Sequence, residues 1–165
     1  MESDLPRPPA LLGDCFPIDD HYTLCPNGKP WPRARDTCTR NGGRIVVLET
    51  EEENLALGGL FRSWREGSFW IGLSDRGTEG EFIWINSSPL EYSGWAGGEP
   101  NDHGGGEDCA ESNWRGPGEW NDAACRNERA FVCEYGEQAP SCEGADVCGP
   151  GECVEGVCRL PAEGG

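Results

Sequence analysis

Positive charge is what the sequence lacks most: 13 Lys and Arg face 30 Asp and Glu, a formal net charge of −17. Phosphate recognition needs clusters of cations, so composition argues against nucleic acid, and equally against docking on an anionic membrane. No apolar run approaches the ~20 residues that span a bilayer, so membrane insertion is not expected. His occurs twice, at His21 and His103. That leaves no second His for a zinc-peptidase motif around His103 and Glu107, and no evident His partner for a Ser or Cys nucleophile. C-x-x-C pairs are also missing, which removes the usual redox and zinc-ribbon readings. The chain is expected not to be an enzyme.

What the sequence does hold is cysteine, ten in 165 residues, together with seven Trp. An even, high count points to disulfides and an oxidising compartment, so a secreted or cell-surface protein is expected. Residues 1–13, with three Pro, read as a flexible arm, and Met1 to Pro9 carry no apolar signal-peptide core, so a processed start is expected. Residues 14–136 have the length and apolar content of one domain. In residues 137–165, Cys142, Cys148, Cys153 and Cys158 fall among almost nothing apolar. Such a segment must be held by disulfides rather than a core.

Within the domain, Cys15 and Cys25 bracket His21-Tyr22-Thr23-Leu24, consistent with a stapled hairpin. Pro32 suits a first helical turn, Ala34 and Cys38 share one face, and Asn41-Gly42-Gly43 ends that helix. Ile45-Val46-Val47-Leu48 reads as a buried strand. Thr50 and Glu53 form a capping box for a second helix whose apolar side is Leu55, Leu57, Leu60, Phe61 and Trp64. Phe69-Trp70-Ile71-Gly72-Leu73 and Phe82-Ile83-Trp84-Ile85 read as strands, and Ala130-Phe131-Val132-Cys133-Glu134 as the closing strand. Residues 87–120 read as one long loop, a length that is usually functional.

The charge is densest at residues 99–122, where seven acids accompany a single Arg115. Hard cations such as Ca²⁺ take six to eight oxygen ligands, and the interleaved Asn residues add neutral carbonyl oxygens to the carboxylates. The residues therefore read as a calcium site on a Gly-rich loop.

Trp70-Ile71-Gly72-Leu73, Glu99-Pro100-Asn101, Glu107-Asp108-Cys109, Trp120-Asn121-Asp122 and Cys133 stand in the order and spacing of a C-type lectin domain. Trp31, Ala34, Arg35, Cys38, Gly42-Gly43 and residues 50–54 resemble the same family's helical half, so the likeness covers about residues 15–135. It implies a disulfide-stabilised α+β fold with two helices, two small antiparallel sheets and a long calcium-binding loop. It further implies the bridges Cys38–Cys133, Cys109–Cys125 and Cys15–Cys25. The principal calcium site would fall on Glu99, Asn101, Glu107, Asn121 and Asp122, and an auxiliary one on Asp75, Glu79, Asp102 and Asp108. Pro100 would be cis.

In this resemblance the principal ion also holds the sugar. Vicinal hydroxyls coordinate the metal, their protons go to the Glu carboxylates, and the Asn amides donate to their remaining lone pairs. The Glu99-Pro100-Asn101 order is similar to the mannose-type signature, which implies ligands with equatorial 3- and 4-hydroxyls such as mannose, fucose-like sugars or N-acetylglucosamine. His103 would pack against the sugar ring. Trp84 and Trp120 are expected in the core, while Trp95 and Trp114 fit either packing or an extended binding face. The tail resembles the opening of an epidermal-growth-factor-like module, implying Cys142–Cys153 and Cys148–Cys158. The alternative function is a calcium-ordered module that binds a protein or other non-sugar ligand.

Overall fold

The computed structural model describes residues 15–18, 21–40, 42–78, 80–100, 106–135, 152–154 and 157–159. Two helices pack on one connected sheet. Strands β1 (Phe16–Pro17) and β2 (Tyr22–Lys29) form the hairpin that Cys15–Cys25 staples. Helix α1 (Trp31–Arg40) follows, with Pro32 in its first turn and Trp31, Ala34 and Cys38 buried. Its last turn closes where Gly43 N–H donates to Cys38 O at 3.0 Å, beside Gly42 at φ 88°.

Helix α2 (Glu51–Arg62) starts at the Thr50 cap: Glu53 N–H donates to Thr50 Oγ1 at 3.1 Å as the capping box predicts, while Glu53 Oε1 reaches one residue further back and accepts from Glu49 N–H at 3.2 Å. Leu57 and Phe61 are buried, but Leu55 is 48% exposed, so it leaves the expected apolar face. Position 54 takes its place inward as Asn54, 1% exposed.

Strands β3 (Arg44–Ile45), β4 (Phe69–Ser74), β5 (Ile83–Trp84), β6 (Cys109–Ser112), β7 (Asn121–Ala123) and β8 (Arg129–Glu134) complete the domain. The sheet runs β1-β2-β8-β4-β6-β7, with β3 added on β8 and β5 on β4. This corrects the expectation of two small antiparallel sheets: β4 and β8 pair in parallel, Phe69 with Ala130 and Trp70 with Phe131, joining both halves into one mixed sheet. The long-loop expectation is corrected too, because β6 lies inside it and Trp95 bridges Trp120 in parallel. Val46, Val47 and Leu48 are buried as expected, yet only Arg44 and Ile45 join the ladder. Gly72 explains the tight approach there, since a Cβ would lie 3.0 Å from the carbonyl oxygens of Ile45 and Val46.

Cys38–Cys133 ties α1 to β8 across a sequence separation of 95, and Cys109–Cys125 ties β6 to the turn after β7. In the tail, β9 (Glu152–Val154) and β10 (Val157–Arg159) pair antiparallel, and Cys153 packs against the main apolar cluster. Cys153 is disulfide-bonded, whereas Cys142 and Cys148 lie outside the described residues. No described helix is long and apolar enough to cross a membrane.

Candidate functional site

The acid-rich region is assembled around Trp120, which is fully buried with edge-on contacts to Trp84, Tyr92 and Trp95. Its indole Nε1–H donates to Asn54 Oδ1 at 2.9 Å, and Asn54 Nδ2 donates to Gly118 O at 2.8 Å and Tyr92 Oη at 2.9 Å. Asn113 extends the network by donating to Gly58 O at 3.0 Å and accepting from Gly118 N–H at 2.8 Å. Buried amides are tolerated only when paired in this way. Gly94 is needed beside them, because a Cβ would come within 2.8 Å of Asn54 Nδ2.

The backbone carries this rigidity to the acids. Trp120 N–H donates to Gly94 O, Ala96 N–H to Trp120 O, and Glu99 N–H to Ala96 O, each at 2.9 Å. The Glu99-Pro100 bond is cis, as the resemblance implies. On the other side, β6 pairs β7 with Ala110 opposite Asp122 and Glu111 opposite Asn121. The chain from 120 to 122 therefore runs between the Glu99 turn and the strand that Glu107 and Asp108 lead into. Asp122 is fully buried and Asn121 is 8% exposed. Trp114 is half-buried with the Arg115 guanidinium 4.1 Å over its ring, and Trp95 packs on the core against Phe82.

The auxiliary set is partly brought together. Asp75 N–H donates to Asp108 O at 2.9 Å where β4 pairs with β6, and Gly80 N–H donates to Asp75 Oδ2 at 2.8 Å. Asn101, Asp102, His103 and Glu79 lie outside the described residues. Among the described residues, no three His, Cys, Asp or Glu side chains gather as a metal cluster. The donors fit a hard cation all the same. Cys109 and Cys125 are spent on a disulfide, which leaves carboxylate and amide oxygens, and Asp108 Oδ1 is buried with no hydrogen bond among the described residues.

Glu111 was not singled out by sequence reasoning. It is 1% exposed on β6 and accepts from Ser68 Oγ at 2.5 Å, Asn121 Nδ2 at 2.7 Å and Arg129 Nε at 2.8 Å. The available signal was an acid alternating with Cys109 along a strand, where a buried charge requires a partner. A separate cavity of about 370 Å³, lined by Gly42, Gly43, Arg44, Glu134 and Tyr135, shares no residue with the acid-rich loop.

This disulfide-tied mixed sheet with two helices and an acid-bearing loop is an α+β recognition domain. The chain belongs to the C-type lectin domain family, whose sequence pattern (Lectin C-type domain) matches residues 27–135. It is 42% identical over 123 residues to the low affinity immunoglobulin epsilon Fc receptor of Mus musculus, covering 74% of this chain but only 35% of the receptor's length. It is also 35% identical over 118 residues to salivary C-type lectin 2 of Aedes albopictus, covering 63% of this chain and 76% of that one. Among solved structures, the cow C-type carbohydrate-recognition domain of CD23, determined in the presence of GlcNAc2Man3 oligosaccharide, superposes with a TM-score of 0.63 at 38% identity. That match covers 74% of this chain and 92% of the cow domain. These relatives point to carbohydrate binding in general.

Proposed function

We propose that the domain binds carbohydrate through calcium, with mannose-type selectivity. The observation that carries this reading is the placement of 120–122 between the cis Glu99-Pro100 turn and the Glu107-Asp108 lead into β6. C-type lectin domains generally bind calcium. Glu99, Asn101, Glu107, Asn121 and Asp122 would hold the principal ion, and Asp75, Glu79, Asp102 and Asp108 an auxiliary one. A bound ion supplies coordination positions for two vicinal sugar hydroxyls.

The chain's own groups do the selecting. Glu99 and Glu107 accept hydroxyl protons, and Asn101 and Asn121 donate amide N–H to the same oxygens. The Glu99-Pro100-Asn101 order resembles the family's mannose-type signature, which favours equatorial 3- and 4-hydroxyls, and the cow relative was determined in the presence of a GlcNAc2Man3 oligosaccharide. Three disulfides suit a secreted or extracellular setting.

The test is retention on immobilised mannose in calcium, followed by elution with chelator, free mannose or free galactose. Release by chelator and mannose but not galactose is expected. Calcium binding in solution without retention would instead assign a protein or other non-sugar ligand. The exchange Glu99→Gln with Asn101→Asp is expected to weaken mannose and admit galactose on the same column.

A further inference from the structure

The acceptor geometry of Glu111 constrains a neighbour that the calcium reading uses. Its carboxylate is buried, with Oε1 taken by Ser68 and Arg129 and Oε2 by Asn121 Nδ2. An ionised carboxylate only accepts hydrogen bonds. Asn121 must therefore turn its NH₂ toward Glu111, because the flipped amide would set two acceptor oxygens 2.7 Å apart in a buried site. The amide oxygen is thereby directed away from Glu111. One of the two amide protons is consumed and the other stays available.

We propose that Glu111 is a positioning residue for the carbohydrate site. It fixes the Asn121 amide so that Oδ1 serves as the neutral metal ligand and the second N–H serves a sugar hydroxyl. Ser68 from the lead into β4 and Arg129 from β8 hold the carboxylate in turn, so the orientation is set by three separate strands of the sheet. This inference rests on the calcium reading above.

Three variants test it: Glu111→Gln, Asn121→Asp and the two combined. In Glu111→Gln the side-chain oxygen stays on the Arg129 cation and the new NH₂ faces Asn121. Asn121 then rotates and presents NH₂ where an oxygen is needed. Calcium affinity by titration calorimetry is expected to fall about 10–100-fold, the usual cost of losing a group that orients a ligand. Asn121→Asp alone opposes two carboxylates and is expected to lose a similar factor. The double variant restores one donor facing one acceptor, so calcium affinity returns toward the native value while mannose retention stays weak for want of the N–H.

Side-chain amide NMR of the calcium-free native protein is a second readout, independent of any variant's folding. One Asn121 NH₂ proton should be exchange-protected and shifted downfield from its twin. Native-like calcium affinity in Glu111→Gln, no recovery in the double variant, or an Asn121 NH₂ that exchanges as fast as exposed Asn side chains overturns the inference and leaves the calcium reading intact. Absence of calcium binding by the native protein overturns both.

Discussion

Behind Trp120, the buried amides Asn54 and Asn113 close a network in which indole, carbonyl, hydroxyl and amide groups satisfy one another, whereas ahead of it the buried Asp75 and Asp122 and the half-buried Asp108 gather carboxylates at the end of β4, on β7 and at the start of β6. The first set is neutral and complete within the chain. The second concentrates negative charge, and on the same sheet Arg129 is held by Glu111. A buried polar group costs little when paired, and a buried charge costs far more unless it is paired or coordinates a metal. The contrast separates a scaffold of paired neutral groups from an acidic face that the calcium proposal would have a cation occupy.

The largest expected effect lies in the scaffold. Replacing Cys38 and Cys133 together by Ala opens a bridge with a sequence separation of 95. In the loop-entropy account this removes about 4–5 kcal/mol of stability. Urea unfolding in calcium and in chelator should show the same loss, because α1 and β8 meet away from the acids. A markedly larger loss in calcium would break the comparison by making the loop face depend on this bridge.

Asn54→Ala strikes the seam between the two sets. It strands the Trp120 indole N–H, the Gly118 carbonyl and the Tyr92 hydroxyl, and is expected to cost about 3 kcal/mol in guanidinium unfolding. Because Trp120 precedes Asn121, calcium affinity should weaken as well. Stability within about 0.5 kcal/mol of native would show that the network does not behave as one unit.

On the calcium proposal, the acid face answers to ligand rather than to packing. At calcium 100-fold above its dissociation constant, linkage adds about 2.7 kcal/mol to stability, visible as a chelator-sensitive rise in Tm. Asp108→Asn should remove much of that rise while leaving the calcium-free protein as stable or slightly more so. A calcium-free destabilisation would place Asp108 in the scaffold set.

How much of this was legible follows the same division. Cysteine count and spacing, the Thr50 cap and the burial of Trp84 and Trp120 were readable because each is a local pattern with one structural outcome. The family resemblance supplied three disulfide pairings and the cis Pro100. Sheet connectivity was not readable: the parallel β4–β8 pairing joins segments about sixty residues apart, and nothing in either strand's alternation names its partner. Inside the long loop, β6 was hidden because Cys109-Ala110-Glu111-Ser112 has few strand-favouring residues and is a strand through its partners β4 and β7. Asn54 and Glu111 escaped for a related reason: a polar residue on a buried face shows its role only once its partners, 66 and 18 positions away, are in place.

The smallest effect concerns a further carboxylate, Glu134, on the scaffold side. Burial pushes the Glu134 carboxyl above its ordinary range, while the Arg44 guanidinium beside it and Val47 N–H pull it back down. With the folded pKa raised, the folded state holds the proton more tightly than the unfolded chain. The stability from Glu134 is therefore full below its unfolded pKa and is lost as pH rises through the folded one. Arg44→Met removes the main opposing influence, so the folded pKa climbs further and the window widens upward. At neutral pH the variant should be less stable by about 1 kcal/mol, a modest figure because Arg44 is 42% exposed and solvent screens the pair. Carboxyl ¹³C titration of Glu134 checks the direction directly. A midpoint that moves down in Arg44→Met would show that charge pairing does not govern this carboxylate.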